Sequence, residues 1–219
     1  MFSGCSAIIL NNKNAIDKLK KNFSNICLDS EGKGRIKFLS TRYSFQYETL
    51  LEKEKFLWTL GLEIPMAGQK TMAINYKNVL LNKIDVSGNF YFQLKREIGA
   101  MKNGRIYDGL LMKFLRIYAL FLKLNDSVES EIRESNCLLD NTKTNSSRGI
   151  CNVFDKKRKF SWELLANGVD FEYLIDDDYV AWMQFRELNG KCYSRSKFFL
   201  RDIKNGGPDR DIIALELFQ

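Results

Sequence analysis

The chain predicts a mainly β fold of the α+β class: about eleven strands in one mostly antiparallel, curved sheet, with one helix in front and helices inserted midway. Three observations carry this prediction. Phe56, Trp58, Leu60, Leu62 and Ile64 alternate at period two, the signature of a half-buried strand. From Ile150 onward, short apolar runs alternate with turn residues, and Asn167-Gly168 and Asn189-Gly190 are hairpin signals. Between these regions, Ile106 to Leu124 places Leu, Phe, Ile and Tyr at helical spacing.

Taken in order, residues 13–27 read as an amphipathic helix. Ala15, Ile16, Leu19, Phe23 and Ile26 share a face, and Asn11 or Asn12 is the candidate cap. Asp29 to Gly34 is a turn. Ile36 and Phe38, then Tyr43, Phe45 and Tyr47, alternate with a phase change near Ser40–Arg42 that reads as a bulge. Pro65-Met66-Ala67-Gly68 ends the Phe56–Ile64 strand, and Met72, Ile74 and Tyr76 resume the alternation. Two further short strands are expected near Val79–Val86 and Phe90–Lys95.

The helix over Ile106–Leu124 carries Lys113, Arg116 and Lys123 on one stripe, and a polar segment through Glu134 extends as a second helix. Asn141 to Ser147 is a polar loop. Strands are then expected at Ile150–Phe154, Phe160–Ala166, Val169–Ile175, Val180–Arg186, Cys192–Ile203 and Ile212–Phe218. Residues 12–219 form a single domain and 1–11 a tether.

Composition excludes several function classes. The chain has no histidine, which removes a Ser-His-Asp triad, a Cys-His pair and histidine metal ligands. No Cys-x-x-Cys occurs, so zinc ribbons and thioredoxin-like motifs are out. Asp176-Asp177-Asp178 lacks the spacing of a calcium loop, and Gly206-Gly207-Pro208 lacks that of a phosphate loop. No enzymatic activity, metal or cofactor is expected. The net charge of +7 suits anionic headgroups, and Lys156-Lys157-Arg158-Lys159 at a turn is either a headgroup contact or a solvated turn. The same charge would suit nucleic acid, but no nucleic-acid motif accompanies it and no such partner is expected.

The N-terminus reads Met1-Phe2-Ser3-Gly4-Cys5. An apolar residue, two small residues and a cysteine form the lipobox pattern, which makes Cys5 the lipid attachment site. That pattern also needs a basic segment and an apolar segment of roughly 7–15 residues before the cleavage point, so it places the true start upstream of Met1. The alternative is an ordinary N-terminus with an idle cysteine. If Cys5 carries lipid, four cysteines remain for an oxidising compartment. Cys137 and Cys151 flank the polar loop, and a bridge between them would add roughly 3 kcal/mol. Two free thiols are the alternative.

The stretch Gly34-Arg35-Ile36, Tyr43-Ser44-Phe45-Gln46-Tyr47, Phe56-Leu57-Trp58 and Pro65-Met66-Ala67-Gly68, together with the order of elements, resembles the LolA/LolB family of lipoprotein-localisation proteins. The resemblance implies a strongly curved antiparallel half-barrel of about eleven strands, an N-terminal helix and a midchain helical lid. It implies a non-catalytic protein whose apolar cavity binds or transfers lipoprotein acyl chains or phospholipid. It also implies an outer-membrane anchor facing the periplasm of a Gram-negative bacterium, a periplasmic carrier as partner, and a monomer. On this reading Phe45, Tyr47, Trp58, Leu60, Leu62, Phe90, Phe92, Trp162, Phe171 and Trp182 line the cavity, and Phe114, Ile117 and Phe121 belong to the lid. Pro65, Met66, Ala67 and Gly68 form a membrane-insertion loop, with Met66 as its apolar tip and Ala67 as an addition to the family pattern. The competing reading is a structural or protein-interaction lipoprotein on the same scaffold, with those aromatics filling a closed core.

Overall fold

The computed structural model describes residues 4–38, 41–101, 103–140, 147–154, 158–176, 179–202 and 211–219, with the side chains of 4–12, 140, 174–176, 202 and 211 outside the description. Twelve antiparallel strands form one open sheet. They are β1 (Ser30–Phe38), β2 (Thr41–Glu52), β3 (Leu57–Ile64), β4 (Gly68–Asn75), β5 (Asp85–Ser87), β6 (Cys137–Asp140), β7 (Ser147–Val153), β8 (Arg158–Leu165), β9 (Gly168–Asp176), β10 (Tyr179–Asn189), β11 (Cys192–Asp202) and β12 (Asp211–Phe218). The order is β5-β4-β3-β2-β1-β12-β11-β10-β9-β8-β7-β6, so the last strand closes onto the first and the two short strands form the edges. Among the described residues four α-helices accompany the sheet: α1 (Gly4–Ser24), α2 (Asn89–Gly99), α3 (Gly104–Asp126) and α4 (Val128–Glu131).

Period-two alternation sets one face of every long strand inward. Ile36, Phe45, Tyr47, Leu60, Leu62, Phe198 and Leu215 are buried on that face, and Leu19 and Phe23 of α1 with Leu115 and Leu122 of α3 pack in the same core. The sheet bends around α3. The Tyr118 ring lies 4.8 Å from Trp58 on β3 and 4.8 Å from Phe198 on β11. Those strands are four steps apart, about 19 Å in a flat sheet at the usual strand spacing.

The register corrects several expectations. Among the described residues there are twelve strands against about eleven expected: β6, paired with β7 ahead of the Ile150 run, and the separation of β1 from β2 add two, and the loss of Phe90–Lys95 removes one. Phe38 pairs with Thr41, so the phase change read as a bulge is a chain reversal between two strands. Phe90–Lys95 is not a strand but the start of α2, which buries Phe90, Tyr91, Leu94 and Ile98 at helical spacing. Val79–Val86 holds a single 3-10 turn, ended by Asn82 in the left-handed region, before the short β5. Asn11 and Asn12 lie inside α1, which begins at Gly4, so they cap nothing and the helix runs through the segment expected to be a tether. The helix expected through Glu134 stops at Glu131, followed by a turn at Glu134–Asn136. The residues 141–146 loop, Lys156, Lys157, Asp177, Asp178 and the 205–208 turn lie outside the described residues.

Candidate functional site

The expected cavity is filled. Phe45, Tyr47, Trp58, Leu60, Leu62, Phe90, Trp162 and Phe171 are all buried, and so are Phe114, Ile117 and Phe121 of the expected lid. Phe121 packs against Phe23, Phe171, Phe185 and Phe198 at centroid distances of 5.6–6.0 Å, a continuous aromatic cluster. Among the described residues, an apolar pocket between α3 and the strands holds about 30 Å³, lined by Ile117, Phe121, Phe154, Arg158, Phe171 and Met183 among others. Ligand pockets begin near roughly 300 Å³. α3 is therefore a core helix in this conformation. Its lysines reach the rims: Lys123 sits 4.6 Å from the Phe56 ring and Lys113 5.3 Å from the Tyr179 ring.

Two expected lining residues are elsewhere. Phe92 is 62% exposed because α2 turns it outward. Trp182 pairs across the strands with Glu172 and Phe199, on the face opposite Phe171 and Met183. There it stacks on Phe199 and lines an outer groove of about 440 Å³ with Leu138, Ile150, Arg148, Glu163, Asp170 and Glu172. Burial raises the Glu172 carboxyl above its usual range. Arg186 holds Asp170 at 2.5 Å.

Tyrosine hydroxyls tie each long helix to the sheet. Tyr43 on β2 donates to Glu97 Oε2 of α2 at 2.7 Å, and Tyr76 after β4 donates to Asp126 Oδ2 of α3 at 2.6 Å. Tyr193 on β11 donates to Asn22 of α1. Burial, and then the hydrogen bond to Glu97 and the charge of its carboxylate, push the Tyr43 phenol up to about 12. The same causes, with Asp126 as the carboxylate, raise Tyr76. Burial also holds the Tyr118 phenol well above its usual range. These carboxylate–phenol pairs tie α2 and α3 to the sheet. Among the described residues no cluster of Cys, Asp and Glu could hold a metal ion, and no helix is long and apolar enough to cross a membrane.

The Pro65–Gly68 hairpin, expected as a membrane-insertion loop, stands out physically. Ala67 N–H bonds to Ile64 O at 3.0 Å, closing a turn with Pro65 second and Met66 third. Met66 has φ +62, the conformation that favours Gly or Asn at the third position of a type II turn. A long apolar side chain therefore occupies a strained position at a hairpin tip, fully exposed. Gly68, at φ +71, completes the reversal into β4.

Beside this hairpin the outer face of β1 and β2 is sorted by charge. Glu31 pairs with Glu48, Lys33 with Gln46, Arg35 with Ser44 and Lys37 with Arg42. The face thus runs from acidic to basic toward the β1–β2 turn, at the end of the sheet where the β3–β4 hairpin also lies. A groove of about 750 Å³ opens there, lined by Lys33, Arg35, Ser44, Gln46, Glu63, Ile64, Pro65, Met66, Gly68 and Phe218 among others. Sequence reasoning passed over this stripe, although Lys33, Arg35 and Lys37 recur at period two.

Cys137 and Cys151 face each other across β6 and β7 and are disulfide-bonded, and Cys27 is bonded to Cys192. Cys5 falls in the backbone of α1, and its side chain lies outside the described residues. Comparison with protein families, with curated proteins and with solved structures finds no match for this chain.

Proposed function

We propose that the protein is a non-catalytic membrane-contact module. Its packed half-barrel is a rigid scaffold, and its β3–β4 hairpin inserts Met66 into the headgroup region of an anionic bilayer. The observation that carries this is Met66 itself, fully exposed at φ +62, where Gly or Asn would fit with less strain. Strain held at an exposed apolar tip fits a side chain kept for contact rather than for packing. The basic end of the β1–β2 face beside it supports approach to anionic lipid.

The LolA/LolB-like order of elements supports the half-barrel assignment, and the two disulfides support an oxidising compartment. A lipid on Cys5 and a periplasm-facing outer-membrane location belong to the same proposal. The filled concave face favours the version of this scaffold in which the interior is core. Sequestering an acyl chain would require α3 to leave the sheet. The small apolar space beside Leu124 and Phe154 is where such a chain would enter.

Vesicle flotation tests the proposal. Fully burying a methionine side chain is worth about 1.5–3 kcal/mol, so Met66→Ser should weaken binding to phosphatidylcholine vesicles containing phosphatidylglycerol by roughly 10- to 100-fold. Equal flotation of wild type and variant would remove the hairpin from the membrane contact.

A further inference from the structure

The groove under the hairpin is polar in one part and apolar in another. Lys33 and Arg35 line it, with the Ser44 hydroxyl and the Gln46 amide directly across the strands. Pro65 and Met66 flank the groove on the hairpin side, and Phe218 of β12, paired with Lys33, closes its other side. Arg35 and Arg195 lie over the Phe218 ring at 5.8 and 5.3 Å. Lys37 directly opposes Arg42, and like charges at paired positions repel unless an anion lies between them. Of the nearby acids, Glu63 is on the groove wall and Glu216, opposite Arg35, is engaged by Lys197 at 3.5 Å. Glu31 and Glu48 lie at the far end of the strands.

A guanidinium, an ammonium, a hydroxyl and an amide N–H together suit the oxygens of a phosphate. A free phosphate would leave the apolar flanks unused, whereas a lipid phosphate brings glycerol and the first acyl carbons to them. We propose that this groove binds the phosphate of an anionic phospholipid headgroup through Lys33 and Arg35, with Lys37 and Arg42 adding to the local field. The site rests on the hairpin reading above and adds the lipid class that the hairpin selects.

The test compares flotation on phosphatidylcholine vesicles with and without phosphatidylglycerol. The proteins are wild type, Lys33→Gln/Arg35→Gln, Met66→Ser, and the charge-matched control Lys18→Gln/Lys21→Gln on the exposed face of α1. The Lys33/Arg35 variant should float on neutral vesicles like wild type and lose roughly 30-fold on anionic ones, from two cations near the surface. Met66→Ser should lose on both vesicle types, and the α1 control on neither. Wild-type affinity for anionic vesicles in the Lys33/Arg35 variant would overturn the site, as would an equal loss in the α1 control. If wild type floats on neither vesicle, the hairpin reading fails, and titration with soluble glycerol phosphate decides what remains. Heat of binding seen in wild type and absent in the Lys33/Arg35 variant would overturn the lipid as source. No heat in either would overturn the phosphate site as well.

Discussion

At the scale of single residues, Met66 and Tyr43 are the most informative. Met66 sits where a side chain costs stability, so Met66→Gly should stabilise the fold by about 1 kcal/mol while it weakens membrane binding. Urea denaturation and flotation of the same variant would show the two effects moving in opposite directions, as stability and activity do at strained functional positions. Tyr43 is an ionisable group whose neutral form the fold prefers. Its phenol is pushed from the ordinary 10.0 up to about 12, by burial first and by Glu97 next. Above the ordinary value the unfolded chain has released a proton that the native state keeps. The stabilisation is therefore complete below pH 10 and is lost as pH rises through about 12. Tyr43→Phe should flatten the fall in stability between those values, measured by urea midpoints at stepped alkaline pH. Gly34 is a matter of space: a Cβ there would stand 2.2 Å from the Phe45 ring. Gly34→Ala should cost about 1–3 kcal/mol through overpacking.

At the scale of elements, α3 decides between a lid and a core helix. Buried among Phe23, Phe171, Phe185 and Phe198, Phe121 should cost about 3–5 kcal/mol when cut to alanine, read from urea unfolding. A helix lying loosely over an open cavity would lose far less. Much of this level was legible in the sequence. The strands from Ile150 onward and Phe56–Ile64 were visible because one wet face leaves period-two alternation, and α3 because its apolar face is wide. The misreadings have physical causes. Phe90, Phe92 and Leu94 alternate like a strand, yet Tyr91 and Ile98 are also buried, and only the helical period accommodates them. The β6 edge is too short, and too close to the Glu134–Asn136 turn, to show a period. Trp182 was expected inside with the other aromatics, but it shares the outer face of β10 with Gln184 and Arg186, whereas Ala181, Met183 and Phe185 hold the inner face. The hairpin tip was legible as a composition break, but the charge sorting on the outer face appears only once β1 and β2 are in register.

At the scale of the whole molecule, one sheet wraps its helices, and a long covalent link ties the end of α1 to the β10–β11 hairpin. Cys27 and Cys192 are 165 residues apart, a closure worth about 5 kcal/mol in the chain-entropy treatment, against about 3 kcal/mol for Cys137–Cys151. Cys27→Ser/Cys192→Ser should therefore lower the urea midpoint more than Cys137→Ser/Cys151→Ser does. On the proposed function the interior is closed and the contact with the membrane is made by the exterior. Hydrogen exchange, followed peptide by peptide with and without vesicles containing phosphatidylglycerol, tests it most directly. A closed scaffold gains protection at residues 64–69 and along the outer face of β1 and β2, while residues 104–126 of α3 exchange as they do in solution. Loss of protection across α3 on adding vesicles, with the hairpin unchanged, would contradict the claim: the helix would then be a lid, and the interior the site.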